Sequence, residues 1–488
     1  MAPKLPLDGA DMAPDEPLYR QVARRIESMI DGGTFTPGER LPSVRKLSRQ
    51  FSVSVTTVVE AYRLLEDRQR LEARPQSGHY VRTPPPRAPI PARTPSADAP
   101  ETPEVSDLAL RFLHAAQQPD VLPLGSAVPH PDFLPVARLN RLLVQAVRRH
   151  PSGSQSYDHV AGLESLRVQV GRRSLDAGCS LSPEEIVTTS GAQAAVHLCL
   201  RAVTRPGDTV VVETPTYYGL LEALESLHLE ALEVATDPRT GILLDELETV
   251  LDERPVAACV LSPNYGNPLG HCMPDENKER LVGLLSARSI PLIEDDIYGE
   301  LTFDPVRPRA AKAFDRDGNV LLCSSFSKSV APGYRIGWTS PGRFRTQVLK
   351  LKFSSSVATA TPTQMALAAF LADGGFDRTL RRLRREYRDL IARTAAAVAA
   401  SFPAGTRMSQ PGGGHVLWVE MPTSIDSVVL HERALEHGVS IAPGILFSAT
   451  GRYRNCIRLN CALPWTPALE QALATLGRCA HDVANEGA

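Results

Sequence analysis

A proline-rich segment divides this chain into two parts. Eight of the 24 residues from 83 to 106 are proline, and no apolar residue repeats there with a helical or strand period. Such a segment is mostly extended and cannot pack a core, and at about 3.1 Å per residue it could span roughly 70 Å. We therefore predict a linker over 83–107, between a domain at 16–82 and a larger one at 108–488. The alternative, a long surface loop within one domain, is uncommon at this length.

Charge is divided unevenly between these parts. Residues 17–87 hold 13 Lys and Arg against 7 Asp and Glu, whereas the remainder holds 40 against 48. A basic head on an acidic body indicates a nucleic-acid partner for the head alone. No apolar run of about 18 residues exists, so no membrane partner is expected, and the Pro-rich N-terminus is not a secretory signal. The eight cysteines are scattered without a C-x-x-C pair, which predicts reduced thiols in the cytoplasm and no metal site.

The head has the sequence pattern of a helix-turn-helix followed by a β-hairpin. Apolar residues at helical spacing predict a helix over 18–30, and Ser43 and Ser54 are placed to cap two further short helices. Two such helices joined by a tight turn present the second one to a DNA major groove. Residues 70–82, with a turn at Gln76-Ser77-Gly78, predict a β-hairpin wing.

This pattern resembles the winged-helix domain of the GntR regulator family over the whole head. The matching residues are Pro17-Leu18-Tyr19, Gly38-Glu39-Arg40-Leu41-Pro42-Ser43-Val44-Arg45, Val53-Ser54, Thr56-Thr57-Val58, Ala61-Tyr62 and Ser77-Gly78. The resemblance implies a double-stranded DNA operator, contacted by Arg45, Ser54, Thr56, Thr57 and Gly78. Arginine can read guanine or bind phosphate, and hydroxyls bond phosphate oxygens. The alternative for any single head arginine is a solvated surface charge.

One position of the head departs from the family pattern. The family often has Arg between the Ser and the Thr of the recognition helix, where this chain has Val55. Valine cannot make a bidentate guanine contact, although it can touch a thymine methyl group. DNA binding is therefore expected, but the base preference of the family is not carried over.

The body alternates strand-like apolar runs with helical stretches. Continuous apolar runs, typical of strands buried on both faces of a parallel sheet, are Val210–Glu213, Ala257–Leu261, Pro291–Glu294 and Val320–Cys323. Polar motifs follow these runs, at the strand ends where α/β sheets place ligand sites. The predicted fold class is therefore α/β behind an N-terminal winged helix-turn-helix.

The strongest of these motifs contains Lys328. It stands in Ser325-Phe326-Ser327-Lys328 directly after a buried strand, and Arg335 follows seven residues later. An amine flanked by hydroxyls suits covalent attachment of an aldehyde cofactor beside a phosphate. The segment resembles the lysine segment of fold-type I aminotransferases, which implies pyridoxal 5'-phosphate held between a large and a small domain. The alternative for a lone lysine is a surface charge.

Further segments complete this resemblance in the family's chain order. Gly191, Ala192 and Gln193 open a helix whose N–H groups would hold the phosphate, together with Ser325 and Arg335. Tyr217 matches the aromatic residue that stacks on the pyridine ring. The alternative for Tyr217 is a core aromatic residue.

The same resemblance assigns the ring's polar partners. Asn267, in Asn267-Pro268-Leu269-Gly270, and Tyr298 would bond the phenolic oxygen. Asp295 would pair with the pyridine nitrogen and strengthen the ring as an electron sink. Asp296 is the alternative for that role.

Two outlying residues match family positions. Arg458 matches the arginine for a substrate α-carboxylate, to which its planar fork is suited. The alternative is a surface arginine on a strand edge. Tyr157 resembles a tyrosine that reaches the phosphate of the neighbouring subunit, which implies a homodimer. The loop Gly412-Gly413-Gly414-His415 is either pocket lining or a plain turn.

Together the two resemblances make the chain similar to the MocR subfamily of transcription regulators. We predict a pyridoxal-phosphate-dependent, DNA-binding regulator that senses an amino acid or other amine. The rival is an active class I/II aminotransferase with an autoregulatory or vestigial head, because Lys328, Asp295 and Tyr298 form a catalytic set beside Arg458. A regulator that never binds the cofactor would require the loss of Lys328 or Asp295.

Overall fold

The computed structural model describes residues 17–68, 70–74, 77–82 and 88–486. The chain forms two compact units that divide between Arg87 and Ala88. The predicted turn residue Gln76 and the linker residues 83–87 lie outside the described residues. The domain boundaries inferred from the sequence stay predictions.

The first unit is a winged helix-turn-helix, as predicted. Its elements are α1 (Leu18–Asp31), α2 (Val44–Phe51), α3 (Val55–Asp67), β1 (Leu71–Arg74) and β2 (Gly78–Val81). The two strands pair antiparallel, with Leu71 opposite Val81. Leu18 at the start of α1 is exposed. The buried core of this unit includes Val22, Ile26, Leu47, Val58, Ala61 and Leu65.

Serine caps set the start of both helices of the helix-turn-helix. The Ser43 hydroxyl accepts a hydrogen bond from the Lys46 amide at 3.3 Å, and the Ser54 hydroxyl accepts one from the Thr57 amide at 3.0 Å. Each cap satisfies a backbone donor that has no partner within its helix, which typically contributes about 1 kcal/mol. The predicted caps are therefore the ones that form.

The second unit contains the remaining helices and strands. The helices are α4 (Ser106–Ala116), α5 (Val136–Arg149), α6 (Pro151–Gln155), α7 (Glu164–Ser174), α8 (Ala192–Val203), α9 (Tyr218–Ser226), α10 (Leu244–Glu253), α11 (Asp275–Ala287), α12 (Arg345–Ser356), α13 (Thr361–Ala372), α14 (Gly375–Ser401), α15 (Ser427–Glu436) and α16 (Pro467–Glu486). The strands are β3 (Leu122–Pro123), β4 (Val187–Thr189), β5 (Thr209–Thr214), β6 (Glu230–Asp237), β7 (Gly241–Ile242), β8 (Ala258–Leu261), β9 (Leu292–Asp295), β10 (Val320–Ser325), β11 (Gly337–Ser340), β12 (Arg407–Met408), β13 (Val416–Glu420), β14 (Val439–Ser440), β15 (Ala442–Pro443) and β16 (Cys456–Asn460).

An eight-stranded sheet in the order β4-β11-β10-β9-β8-β5-β6-β7 forms the centre of this unit. The strands from β10 to β6 are parallel, whereas β4, β7 and β11 pair antiparallel. Side chains of β5 alternate between two buried clusters, with Val210 and Val212 against α8 and α9 and Val211 against α10 and α11. Helices therefore cover both faces, which is why the predicted strands read as continuous apolar runs.

A smaller antiparallel sheet in the order β12-β13-β16-β15 lies beyond it in the chain. Its core includes Val398 of α14, Leu430 of α15 and Leu473 of α16. Arg458 stands in the middle of β16, paired with Trp418 of β13 on one side and Ala442 of β15 on the other. It is therefore an interior residue of the sheet and not one on a strand edge.

Residues 88–105 are bound along the second unit. The Ala97 amide donates to the Glu233 carbonyl at 2.8 Å, and Glu101 and Ala231 exchange two backbone hydrogen bonds of 3.0 and 2.8 Å. Arg452 donates to the Pro95 carbonyl at 2.5 Å. Because β7 pairs with only the last two residues of β6, the rest of that strand edge is open to this extended segment. Residues 88–105 of the predicted linker are therefore extended but hydrogen-bonded to the second unit, and the linker assignment over 83–107 stays a prediction.

Two further observations concern membrane-spanning helices and the cysteines. Among the described residues, no helix has both the length and the apolar character needed to cross a membrane. All eight cysteines are free thiols.

Arg452 is expected to hold the bound segment in place. Replacing it by alanine removes its hydrogen bonds to the Pro95 and Ser96 carbonyls, so the Ala97 amide should exchange about tenfold faster in hydrogen-exchange mass spectrometry. Arg454→Ala, which removes an ion pair to Asp426, is the matched control and should leave Ala97 unchanged. Equal exchange of Ala97 in both variants would contradict this assignment.

Candidate functional site

The carboxyl ends of the parallel strands open on a cavity of about 320 Å³. Because β5, β9 and β10 run in the same direction, the polar residues that follow them reach one edge of the sheet. The predicted site residues that line the cavity are Ala192, Gln193, Tyr217, Asn267, Asp295, Tyr298, Ser325, Lys328 and Arg335. Lining residues that the sequence did not single out include Leu113, Ala127, Val128, Val196, Tyr218 and Glu222.

Lys328 lies in the turn that follows β10, three residues after Ser325, the last residue of the strand. Its ammonium donates a hydrogen bond of 2.6 Å to the Ala127 carbonyl. Burial lowers the pKa of Lys328 to about 8, and the positive charge of Arg458 acts in the same direction. More of this lysine is therefore uncharged near neutral pH than of a surface lysine, which suits a nucleophilic amine.

Asp295 ends β9 and turns its carboxylate into the cavity. Burial raises the pKa of Asp295 to about 7, and the neighbouring Asp296 raises it further, while Lys328 opposes this. Its Oδ1 atom is buried without a hydrogen-bond partner among the described residues. Asp296 is committed elsewhere, because it pairs with Arg307 and accepts a 3.0 Å hydrogen bond from Asn264. The structure thus brings Asp295, and not Asp296, to the cavity.

The start of α8 forms an anion-binding corner with Arg335. Gly191 precedes the helix with φ of 93°, and a Cβ atom there would lie 2.5 Å from Nη2 of Arg335. Only glycine therefore lets the guanidinium lie over the helix N-terminus, where it donates to the Ser190 carbonyl at 3.1 Å. A cation beside the unpaired amides of a helix start favours a phosphate or carboxylate.

Two tyrosines flank the cavity. Burial raises the pKa of both Tyr217 and Tyr298, so both hydroxyls stay protonated. The Tyr298 hydroxyl is buried and has no partner among the described residues. His415 packs behind the Tyr298 ring at a centroid distance of 5.3 Å, and burial lowers the pKa of His415 to about 3. The loop 412–415 therefore supports Tyr298 from behind and does not line the cavity.

Arg458 is fully buried, and its hydrogen-bond partners among the described residues are all neutral. Its Nη1 donates to the Asn267 side-chain oxygen at 3.4 Å, its Nη2 donates to the Gly125 carbonyl, and its Nε has no partner among the described residues. A buried guanidinium without a carboxylate is costly, so this position favours binding of an anion. Asn267 links it to the cavity wall.

Tyr157 does not join the other site residues within one chain. Its side chain is 85% exposed and lies outside the cavity lining. The surrounding loop is fixed, because the Thr361 hydroxyl donates to the Ser156 carbonyl at 3.1 Å and Lys352 donates to the Val160 carbonyl. The tyrosine is therefore held in solvent by a rigid support.

The predicted DNA-contacting residues of the helix-turn-helix are mostly exposed. Arg45, Ser54 and Thr56 are exposed and Thr57 is half-buried. The Ser54 and Thr57 hydroxyls lie 2.8 Å apart and bond to each other, so both also serve the start of α3. Further basic residues that the sequence analysis did not name, Lys46 and Arg49, are exposed on α2.

Gly78 has a structural role at the start of β2. Its φ is 109°, and an added Cβ would meet the Arg40 guanidinium at 3.3 Å. A side chain at this position would displace Arg40. Glycine therefore keeps the wing narrow beside this arginine.

Comparison with known proteins agrees with both units. The family model for aminotransferase class I and II matches residues 121–476, and the model for bacterial regulatory proteins of the gntR family matches residues 18–81. The crystal structure of LysN, an α-aminoadipate aminotransferase from Thermus thermophilus complexed with N-(5'-phosphopyridoxyl)-L-leucine, superposes with a TM-score of 0.71. That structure is 26% identical and covers 77% of this chain and 98% of its own.

Relatives from Escherichia coli (strain K12) match almost from end to end. YjiR, described as an uncharacterized HTH-type transcriptional regulator, is 37% identical over 95% of this chain and 98% of its own length. YdcR, described in the same words, is 40% identical over 94% of this chain and 98% of its own. With family matches in both units and relatives that share the whole architecture, this chain belongs to the MocR subfamily of GntR-type regulators, in which a winged-helix head is joined to an aminotransferase class I and II body.

Proposed function

We propose that this protein is a cytoplasmic transcription regulator that binds an operator through its head and an amino acid effector at pyridoxal phosphate in its body. The observation that carries the proposal is the convergence of Lys328, Asp295 and Arg335 on one cavity, in a chain that also has a helix-turn-helix head. Regulator-named relatives with the same two parts support it.

The residues of the cavity fit pyridoxal phosphate. Arg335 and the start of α8 would hold its phosphate, and Tyr217 would stack on its ring. The unpartnered Oδ1 of Asp295 suits the protonated pyridine nitrogen, and Lys328 would make the covalent attachment. The cofactor, when bound, supplies an electrophilic carbon for amines and a ring that withdraws electrons.

The chain's own groups would then select and hold the effector. Arg458 would bind its carboxylate, replacing weak neutral contacts by a charge-assisted pair. Lys328, with a pKa of about 8, can exchange a proton with an incoming amine. The two tyrosine hydroxyls stay protonated and can donate hydrogen bonds.

Effector binding has a route to the segment that leads to the head. Arg458 lies in β16 of the smaller sheet, and Arg452, four residues before that strand, donates hydrogen bonds to the carbonyls of residues 95 and 96. The same segment is bonded to β6 of the larger sheet. A shift of one sheet against the other on effector binding would therefore pull on it, and the effector can change DNA affinity only by its differential affinity for the two arrangements.

We also propose a homodimer. Tyr157, Phe353 and Val357 are exposed to 85%, 63% and 41%, and Lys352 joins their two segments through the Val160 carbonyl. An apolar surface of this kind marks an interface. A second copy would cover it and would bring Tyr157 of each subunit towards the phosphate corner of the other.

The second candidate function is transamination. It is favoured by one observation: a lysine of lowered pKa and an aspartate for the ring line the cavity, and a buried arginine suited to a carboxylate contacts the lining residue Asn267. Steady turnover of an amino acid with a keto-acid acceptor would favour this candidate.

Borohydride trapping tests the cofactor assignment. After loading with pyridoxal phosphate and reduction, mass spectrometry should find the adduct on the peptide that contains Lys328 and none in Lys328→Ala. Lys352 is the matched internal control, because burial lowers its pKa to about 8 as well but it lies outside the cavity lining. Equal labelling of both lysines would contradict the assignment.

Operator binding tests the head. Arg45→Ala should weaken binding about tenfold or more and reduce its salt dependence, since one guanine or phosphate contact is lost. Arg63→Ala is the matched control, because Arg63 is also exposed, on α3, but pairs with Glu60. A footprint that survives Arg45→Ala unchanged would count against the proposed DNA surface.

The dimer proposal is tested by sedimentation and cofactor titration together. The full chain should sediment as a dimer, and Tyr157→Phe should keep that dimer while weakening cofactor binding several-fold, because one hydrogen bond to phosphate is lost. A monomer, or Tyr157→Phe with unchanged cofactor affinity, would refute the shared site.

A further inference from the structure

We propose that the effector is an amino acid with a cationic side chain, of the lysine or ornithine class, and that Glu222 binds its terminal ammonium. The inference rests on the proposed function, because Glu222 lies in the wall of the same cavity. It names the chemical class of the effector, which the cofactor-binding residues leave open.

The charges of the cavity wall limit what the side chain of an effector can be. The charged lining residues are Asp295, Lys328, Arg335 and Glu222, and the first three are taken up by the cofactor. No lysine or arginine of the described lining remains for a second carboxylate. An acidic side chain would meet Glu222 as a like charge, which disfavours that class.

Glu222 differs from the other charged residues of the cavity wall in having no assigned partner in the described part of the chain. It stands on α9 one turn after Tyr218 and is half-buried, and it forms no hydrogen bond or ion pair with the described residues. Burial raises the pKa of Glu222, and the neighbouring Glu225 raises it further. A cation at this position would compensate both effects.

Glu225, unlike Glu222, has hydrogen-bond partners within the fold. Its carboxylate accepts hydrogen bonds from the Val105 and Ser106 amides at 2.9 and 3.1 Å, and from the Ser106 hydroxyl at 2.9 Å. It thereby anchors the start of α4. Of these two carboxylates on one turn of α9, Glu225 binds the start of α4 and Glu222 faces the cavity.

The remaining wall suits the hydrocarbon stem of such a side chain. Leu113, Val128 and Val196 line the cavity with Glu222. Methylene groups of a lysine-like side chain cover apolar surface while the charged end reaches a polar partner. Arg458 would bind the carboxylate of the effector, and Glu222 would bind the ammonium at the end of its side chain. Each charged group of the ligand would therefore have a partner of opposite charge.

Calorimetric and absorbance titrations of the cofactor-loaded full chain test this inference. The ligands are L-lysine, L-ornithine, L-norleucine and L-2-aminoadipate, which carry cationic, neutral and acidic ends on similar stems. We expect lysine or ornithine to bind about tenfold tighter than norleucine, and aminoadipate to bind weakest. In Glu222→Gln the cationic ligands should fall to the affinity of norleucine, whose own affinity should stay unchanged.

Unchanged norleucine binding also shows that Glu222→Gln folds, and Glu253→Gln, an exposed glutamate outside the cavity lining, controls for the loss of a negative charge. Norleucine or aminoadipate that binds as tightly as lysine, or a Glu222→Gln variant that keeps the preference, overturns the role of Glu222 and leaves the proposed function standing. If no amine changes the calorimetric or absorbance signal of the wild type, the proposed function itself fails.

Discussion

Parallel pairing of β5, β8, β9 and β10 is the constraint on which the site depends. Because these strands run in one direction, Tyr217, Asp295 and Lys328 emerge at one edge although they are far apart in the chain. The antiparallel strand β11 adds the phosphate corner. It pairs with β4, so that Arg335, just before β11, lies over Gly191, just after β4. Each polar group of the cavity is thus placed by backbone hydrogen bonds.

Lys328 and Asp295 in the cavity influence each other's ionisation, and Arg458 beside the cavity influences that of Lys328. Burial is the main cause of both shifts: it lowers the pKa of Lys328 and raises the pKa of Asp295. The charge of Arg458 lowers the pKa of Lys328 further, while Asp295 opposes this. Arg458 and the Oδ1 atom of Asp295 both lack a charged partner among the described residues. Such groups are costly in a folded protein unless a ligand completes them, which is why they mark the site and do not stabilise the fold.

The proline-rich segment illustrates how a strand edge can bind a stretch of chain that cannot pack a core of its own. Its sequence lacks the apolar pattern of a packed element, and it is nonetheless fixed over 88–105. The open edge of β6 offers unpaired backbone groups, and an extended chain can satisfy them without burying apolar side chains. Binding therefore depends on a partner surface that lies more than a hundred residues further along the chain, as the contacts of Ala97 with Glu233 and of Pro95 with Arg452 show.

Local patterns determined the winged helix, the buried parallel strands and the motif around Lys328, because caps, apolar runs and short motifs act through neighbours in the chain. Other features required the tertiary structure. The neighbouring Asp295 and Asp296 are alike in sequence, and only the position of Arg307 commits the second of them. Glu222 belongs to no motif, and only the folded structure shows that it lines the cavity while Glu225 anchors the start of α4. Side chains of the same chemistry acquire different roles because burial and partners come from distant segments.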